Sequence, residues 1–190
     1  MKTPKNWVIK TDRLVLRPVD ESEAAEFYPL FSDAEISRDM AWSPHSCLEQ
    51  SRSFLREAAR SFKASRAIHW SVRSVDSLIG MFSLIDLRGQ HRAIEYNRAE
   101  LAYWVVSGER RRGFMTEAGE AVIDFAFEEI ELNKLIVSHH VGNAASEGLI
   151  RKLGFRKLYE EEQAFRKDGK LIDVVHYDLL RSAWALKVRK

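Results

Sequence analysis

Cysteine is almost missing from this 190-residue chain: Cys47 stands alone, so no intrachain disulfide can form and a reducing compartment suits it. No run approaches the roughly 18 apolar residues of a membrane span. The opening MKTPKNWVIKTDR lacks the apolar segment of a signal peptide, and the expected address is the cytoplasm. Charge of one sign is also missing. Thirty Lys+Arg against 28 Asp+Glu leave +2, too little for a global pull toward nucleic acid or a membrane surface, so any anion affinity must be local. There is no low-complexity linker and no internal repeat. Metal signatures are absent too: there is no H-E-x-x-H and no paired-cysteine spacing. His139 and His140 are neighbours on a strand and point to opposite faces, which argues against a shared metal.

What is present is an apolar fraction of 45 %, enough for one domain spanning 1–190 with its core at about 11–180. The segment 13–20 reads as a short strand ending at Pro18. Asp20 and Glu23 have capping-box spacing for a helix to Phe31. Leu48, Phe54, Leu55, Ala58, Ala59 and Phe62 recur at helical spacing over 47–65. AIHWSVRS and SLIGMFSLIDL are strand-like, separated by a turn at Val75-Asp76-Ser77. The polar stretch RGQHRAIEYNR then leads into a strand over 99–106. A helix from about Gly113 to Ile130, a strand over 134–140 and a short helix over 143–153 come next. Asn143 is the N-cap and Gly154 the C′ glycine of that last helix. Asp168-Gly169 marks a final hairpin. The class is α/β (α+β): a mixed, mostly antiparallel sheet of about seven strands and about four helices, with a central β-α-β crossover that requires one parallel strand pair.

The chemistry-bearing stretch is SGERRRGFMTEA (107–118). A loop between a strand and a helix N-terminus is where phosphates are held, by free N–H groups and the helix dipole. Here that loop carries Gly113 with Arg110, Arg111 and Arg112, whose planar forks match phosphate oxygens. It is neither a P-loop nor a dinucleotide fingerprint. Taken alone, the stretch leaves a solvated basic loop and an anion site equally open.

Several separated stretches resemble the GNAT N-acetyltransferase superfamily. Arg110, Gly113 and Met115 fall on the fixed positions of its Q/R-x-x-G-x-G/A loop, with Met115 departing from the small residue expected. NAASEGLIRKLGF resembles its later helix through Asn143, Ser146, Gly154 and Phe155. TDRLVLRP, ELAYWV, TEA and DGKLIDVVHYDLL resemble the Rim-type subgroup that acetylates ribosomal-protein N-termini at serine or alanine. The likeness runs from about Thr11 to Leu180.

The resemblance implies an acetyl-CoA-dependent transfer of acetyl to a primary amine, with no metal. The pyrophosphate would sit on Arg110, Arg111, Arg112, Gly113, Phe114, Met115 and Thr116. The pantetheine arm would pair with the backbone of Trp104, Val105 and Val106, whose strand would also supply the oxyanion donor, and Asn143 would touch the arm. Glu100 is the expected base, through a water relay or a raised pKa, because an ordinary Glu near ~4.3 is too acidic for direct work. The other reading of Glu100 is a strand-edge ion pair. Many members place a tyrosine acid seven residues after the asparagine, but Ile150 stands there. In the subgroup a serine at the Ser146 position protonates or orients the thiolate; the other reading is that Ser146 satisfies an N–H of its own helix.

The acceptor implied is a protein N-terminus. A polyamine, an amino sugar or an aminoacyl nucleotide is the alternative within the same class. A different class, a non-catalytic RNA- or ribosome-binding module, would rest on the arginine triplet and the tail RSAWALKVRK. No membrane partner is expected, and nucleic acid only by way of a ribosomal substrate; the subgroup also allows a homodimer. Cys47 has no base partner, which argues against a nucleophile. Glu160, Glu161 and Glu162 read as a solvated strand or bulge, or else as an attractor of cationic substrate. Trp70 reads as core or cleft wall, and Trp42 lies in the loop 41–46 where the subgroup builds its substrate pocket.

Overall fold

Backbone donors with no partner decide where the first helix begins. Asp20 accepts from the Ser22 amide, and Glu23 reaches back to the Asp20 amide at 2.8 Å, the capping box its spacing predicts. A 3-10 turn over Glu21–Glu23 then feeds α1 (Ala24–Phe31). The computed structural model describes residues 2–75 and 77–188. Asp76, in the middle of the expected turn, and Arg189 and Lys190 of the basic tail lie outside the described residues.

Among those residues the chain continues through α2 (Ala34–Ser37) and α3 (Leu48–Lys63). These follow β1 (Ile9–Lys10) and β2 (Leu14–Pro18). Then come β3 (Ile68–Ser74), β4 (Ser77–His91) and β5 (Ile94–Val105). After a 3-10 turn at Ser107–Glu109, α4 (Phe114–Asp124) leads to β6 (Lys134–His140) and α5 (Ala144–Leu153). The chain closes with β7 (Arg156–Lys167), β8 (Lys170–Leu180) and α6 (Arg181–Val188). The described sheet has eight strands, one more than expected, in the order β1-β2-β3-β4-β5-β6-β8-β7. Six α-helices replace the expected four, because α2 is a single short turn and α6 lies beyond the last strand.

Two expectations need correction. The polar stretch 88–98 is strand, not a lead-in. β4 and β5 run on past the core as a hairpin, pairing Gln90 with Glu95 and His91 with Ile94 around Arg92, which holds φ 55°. These arms are mostly exposed, so ladder hydrogen bonds hold them and no apolar alternation reports them in the sequence. The helix read to Ile130 is α-helical only to Asp124; Phe125–Glu129 widens to a π-turn.

Each face of the sheet carries its own apolar layer. α4 and α5 cover one, where Leu101, Ala118, Val122, Leu153 and Tyr177 are buried. α1 and α3 cover the other, around Phe27, Phe31, Leu55, Met81 and Trp104. Trp70 belongs to the first layer and is fully buried, with its indole N–H on the Trp7 carbonyl at 2.7 Å. Two glycines set the spacing between elements. A Cβ on Gly80 would stand 2.4 Å from the Trp104 carbonyl oxygen, so this position of β4 can lie against β5 only as glycine. A Cβ on Gly119 would meet Leu153 at 2.8 Å, which lets α4 lie close to α5.

The only parallel pair in the described sheet is β5 with β6, and it is short. Arg98, Ala99 and Glu100 pair with Lys134, Leu135 and Ile136, and there the ladder stops. Beyond it β5 stays with β4 out to the Gly80–Val105 pair, while β6 stays with β8 out to the His140–Val174 pair. The sheet therefore opens into a wedge whose apex is Glu100. Along the wedge, residues 101–105 of β5 have no ladder partner on the β6 side, which leaves backbone donors and acceptors able to pair with an extended ligand.

Candidate active site

Period-two alternation sends Leu101, Tyr103 and Val105 toward α4 and α5, and Glu100, Ala102 and Trp104 toward α1–α3. The wedge is thus walled by residues of both layers. A cleft of about 870 Å³ runs from it to the N-terminus of α4. Of the residues expected to bind cofactor, Trp104, Val105, Arg110, Arg111, Gly113, Phe114, Met115, Thr116 and Asn143 line it, together with Ser146. Val106 and Arg112 are not on its walls. Val106 instead donates its amide to the Ile79 carbonyl at 2.9 Å.

α4 begins at Gly113, which adopts φ 81° and offers no side chain to cap the first turn. The amides of Phe114, Met115 and Thr116 precede the first intrahelical bond, from Glu117 to the Gly113 carbonyl, and remain free to meet an anion. Glu117 would oppose that anion, but it is turned away. Thr11 donates to it at 2.5 Å, and the Arg13 amide and guanidinium at 3.0 and 2.6 Å. Burial works against its charge, yet those bonds hold its carboxyl below the usual carboxylate range. Arg13, a residue sequence reasoning passed over, also donates to the Arg112 carbonyl and lies 4.7 Å over the Phe114 ring.

The arginine triplet separates into three roles. Arg110 pairs with Glu35 of α2 at 2.7 Å. Arg112 pairs with Glu109 at 2.6 Å and stacks over Phe114. Arg111, held at φ 60°, is exposed and has no hydrogen bond or ion pair among the described residues. The bulk of Met115, the departure from the loop pattern, is mostly buried in the apolar layer beneath the helix.

At the other end of the cleft, Asn143 caps α5 by accepting from the Ser146 amide at 3.0 Å, and Gly154 ends the helix at φ 95°. The Ser146 N–H is therefore satisfied by Asn143, and the Ser146 hydroxyl is not the cap. It lies 2.8 Å from the Tyr103 hydroxyl. Burial pushes the Tyr103 phenol up to about 12, so it stays protonated and can donate. Tyr103 was legible as a strand residue, and its role depends on α5 arriving opposite it. Isoleucine stands at position 150, and Tyr103 supplies a phenol from the facing strand.

Glu100 sits at the wedge apex, half-buried, with the Ser138 hydroxyl of β6 donating to it at 3.4 Å. It has no ion-pair partner among the described residues, so the strand-edge salt bridge is not what holds it. Burial raises its pKa, Ser138 works against the rise and Asp86 adds to it. Glu100 does not line the large cleft.

The remaining candidates take structural places. His139 is buried, with Nδ1 2.8 Å from the His140 carbonyl and Nε2 3.0 Å from the Tyr177 hydroxyl. His140 meets the Phe165 ring edge-on on the other face. No group of three His, Cys, Asp or Glu side chains is placed to hold a metal among the described residues. Cys47 is exposed ahead of α3. Glu160, Glu161 and Glu162 lie exposed on β7 beside a bulge at Gln163. Trp42 packs edge-on against Phe31 and Trp104. No described helix is long and apolar enough to cross a membrane.

A profile of the acetyltransferase (GNAT) domain matches residues 13–156, most of the chain. The chain belongs to the GNAT acetyltransferase family. As a GNAT enzyme it is an N-acetyltransferase, and its curated relatives carry that name. It is 27 % identical over 92 % of its length to the uncharacterized N-acetyltransferase YoaA of Bacillus subtilis, of which it covers 97 %. Among solved structures, RimL, a ribosomal L7/L12 alpha-N-protein acetyltransferase in complex with coenzyme A, superposes with a TM-score of 0.83 at 20 % identity, over 93 % of this chain and 99 % of RimL. RimJ of Mycobacterium smegmatis, in complex with CoA-disulfide, gives 0.82 at 18 % over 100 % and 97 %. At these identities the two structures establish the GNAT fold.

Proposed function

We propose that this GNAT enzyme transfers acetyl from acetyl-CoA directly to the α-amine of a protein N-terminus. The observation that carries the reading is the wedge between β5 and β6. It opens at Glu100, offers unpaired strand backbone along 101–105, and leads to the free amides of α4. A pantetheine arm needs an extended backbone partner, and a pyrophosphate needs a helix N-terminus. Both lie in one cleft. Acetyl-CoA would lay its pyrophosphate on the amides of 114–116 and on Arg111, its arm along β5 with Asn143 and Ser146 across from it, and its thioester near the apex.

Proton chemistry favours an α-amine over a polyamine. The amine must be neutral to attack, and α-amines near ~7.7–8.0 shed a proton far more readily than lysine-type amines near ~10.4. A single half-buried carboxylate acting through water is a sufficient base for the first class and a poor one for the second. The name of RimL, a ribosomal L7/L12 alpha-N-protein acetyltransferase, supports the same acceptor. The test is a thiol-release assay with acetyl-CoA across peptides beginning with Ser or Ala, polyamines, amino sugars and aminoacyl nucleotides. Peptides should give turnover, and turnover only on spermidine or nucleotide would replace the protein acceptor with a small one. Calorimetry that finds no acetyl-CoA binding up to millimolar ligand would end the reading.

The arginine roles make a sharper expectation than charge alone. Arg111→Glu should weaken acetyl-CoA binding about tenfold or more, since it reverses an uncommitted charge beside a phosphate. Arg112→Glu, whose parent is already neutralised by Glu109, should cost about threefold or less. Calorimetric affinities for the two variants, with melting curves alongside, check this. Equal losses would mean that the loop acts through net charge and not through geometry.

A further inference from the structure

One wall of the cleft is made by Glu35, Ile36, Arg38, Asp39 and Met40, and little local structure holds the stretch from Ser37 to Trp42. α2 is four residues long, too short to be stable by itself. Past it, the Met40 amide donates to the Ser37 carbonyl at 3.0 Å, and the next backbone bond, from the His45 amide to the Phe31 carbonyl, comes only five residues later at 2.9 Å. Arg38 and Asp39 line both the large cleft and a second cavity of about 470 Å³ against the β7–β8 hairpin, so this segment is a partition with open space on both sides.

One side chain from far along the chain closes on that partition. The Lys167 ammonium, at the end of β7, donates to the carbonyls of Ser37 at 2.6 Å, Met40 at 2.6 Å and Arg38 at 3.0 Å, and the Trp42 carbonyl stands at 3.4 Å. An ammonium has three protons, and the three short contacts use them all. Two of these oxygens belong to the C-terminal end of α2, where carbonyls have no helical partner and the dipole favours a cation. The turn beyond, Asp168 at φ 48° and Gly169 at φ 79°, aims the strand end at the partition. On the cofactor side the same unit is held by Glu35 to Arg110.

We infer that Lys167 is a positioning residue for the acceptor: its ammonium gathers the carbonyls of 37–42 and holds that wall at a fixed distance from the acetyl-transfer wedge. This rests on the acetyl-transfer reading of the cleft. Arginine is a poor replacement, because a planar fork spreads its donors outward while these oxygens converge on a point.

The experiment uses the full chain with Lys167→Met and Lys167→Arg and three readouts. Hydrogen exchange at the Arg38, Met40 and His45 amides should quicken about tenfold in K167M, with K167R between, while β3 and β6 keep their protection. Acetyl-CoA affinity by calorimetry should stay within about twofold, because the loop at 110–116 is untouched. With an N-terminal-serine peptide, KM should rise about tenfold and kcat stay within about threefold, the split expected when binding geometry and not the chemical step is lost. Unchanged exchange at Met40 overturns the tether. Equal losses of CoA and peptide affinity overturn the acceptor role and leave a general contribution to stability. If K167M fails to fold, K167R carries the same three measurements. A wild-type protein that acetylates no amine sinks the acetyl-transfer reading and the acceptor role with it, and the Met40 exchange rate still reports the tether alone.

Discussion

Glu100→Gln is expected to lower kcat/KM about 10²- to 10³-fold, the range for loss of a positioned general base. It should leave acetyl-CoA affinity nearly unchanged, since the group stands at the wedge apex and away from the cofactor loop. The pH profile makes the expectation specific. Burial raises the Glu100 pKa above its ordinary value, and the base works only when ionised. In the wild type, kcat/KM should therefore fall as pH drops through that raised value, and in the variant this acid limb should disappear. Stability should move the other way. A carboxyl whose folded pKa lies above its unfolded one binds its proton more tightly in the fold, so its contribution is fully present below the unfolded pKa and is lost as pH rises through the folded one. At neutral pH wild-type Glu100 is a half-buried charge whose side-chain hydrogen bond comes from Ser138, and glutamine removes part of that desolvation penalty. An inactive variant that melts higher than wild type at pH 7 is the result expected from kinetics and scanning calorimetry. A variant that keeps both its rate and its acid limb would place the base elsewhere.

Ser146→Ala should cost about 10²-fold in kcat and little in acetyl-CoA affinity if, as proposed, its hydroxyl serves the departing thiolate, because the change removes that hydroxyl and not the helix cap. The cap survives, since Asn143 bonds the backbone amide of residue 146 and not its side chain. Tyr103→Phe should cost less, about tenfold, because the phenol would act on the thiolate through the serine: with the phenol as donor in this pair, the serine proton is left free to point into the cleft. Groups acting in series are non-additive, so the double variant should match Ser146→Ala within about twofold. Single-turnover release of thiol, followed for all four proteins, checks this. Losses that multiply would show two independent contributions, and a large fall in melting temperature for Ser146→Ala would return the serine to a structural role.

Much of the frame was readable because local rules govern it. The strand at Lys134–His140, the Asn143 cap, the Gly154 stop and the Asp168-Gly169 turn all depend on residues within a few positions of one another. The loop into α4 was readable for the same reason: Gly113 and the first turn of α4 are adjacent in the chain. The long hairpin at 88–98 was not readable as strand, because exposed arms are held by ladder bonds that any polar sequence can make. Tyr103 shows the other limit. Its alternation with Leu101 and Val105 marks it as facing the α4 layer, but its partner is 43 residues away, on a helix whose approach depends on how β6 leaves the sheet.

By itself the sequence determined the order of elements, the parallel crossover at the middle of the sheet, the family, and the loop that would receive phosphate. Tertiary structure decided which of three consecutive arginines is uncommitted, that the ladder between β5 and β6 ends at Glu100, and that Lys167 closes on carbonyls about 130 residues back along the chain. The physical reason is range. Helix caps, turns and period-two or period-3.6 patterns are energies between near neighbours, and composition records them. Ion pairing, burial and the end of a strand pairing are set by distant groups, and they exist only once the sheet has brought those groups together.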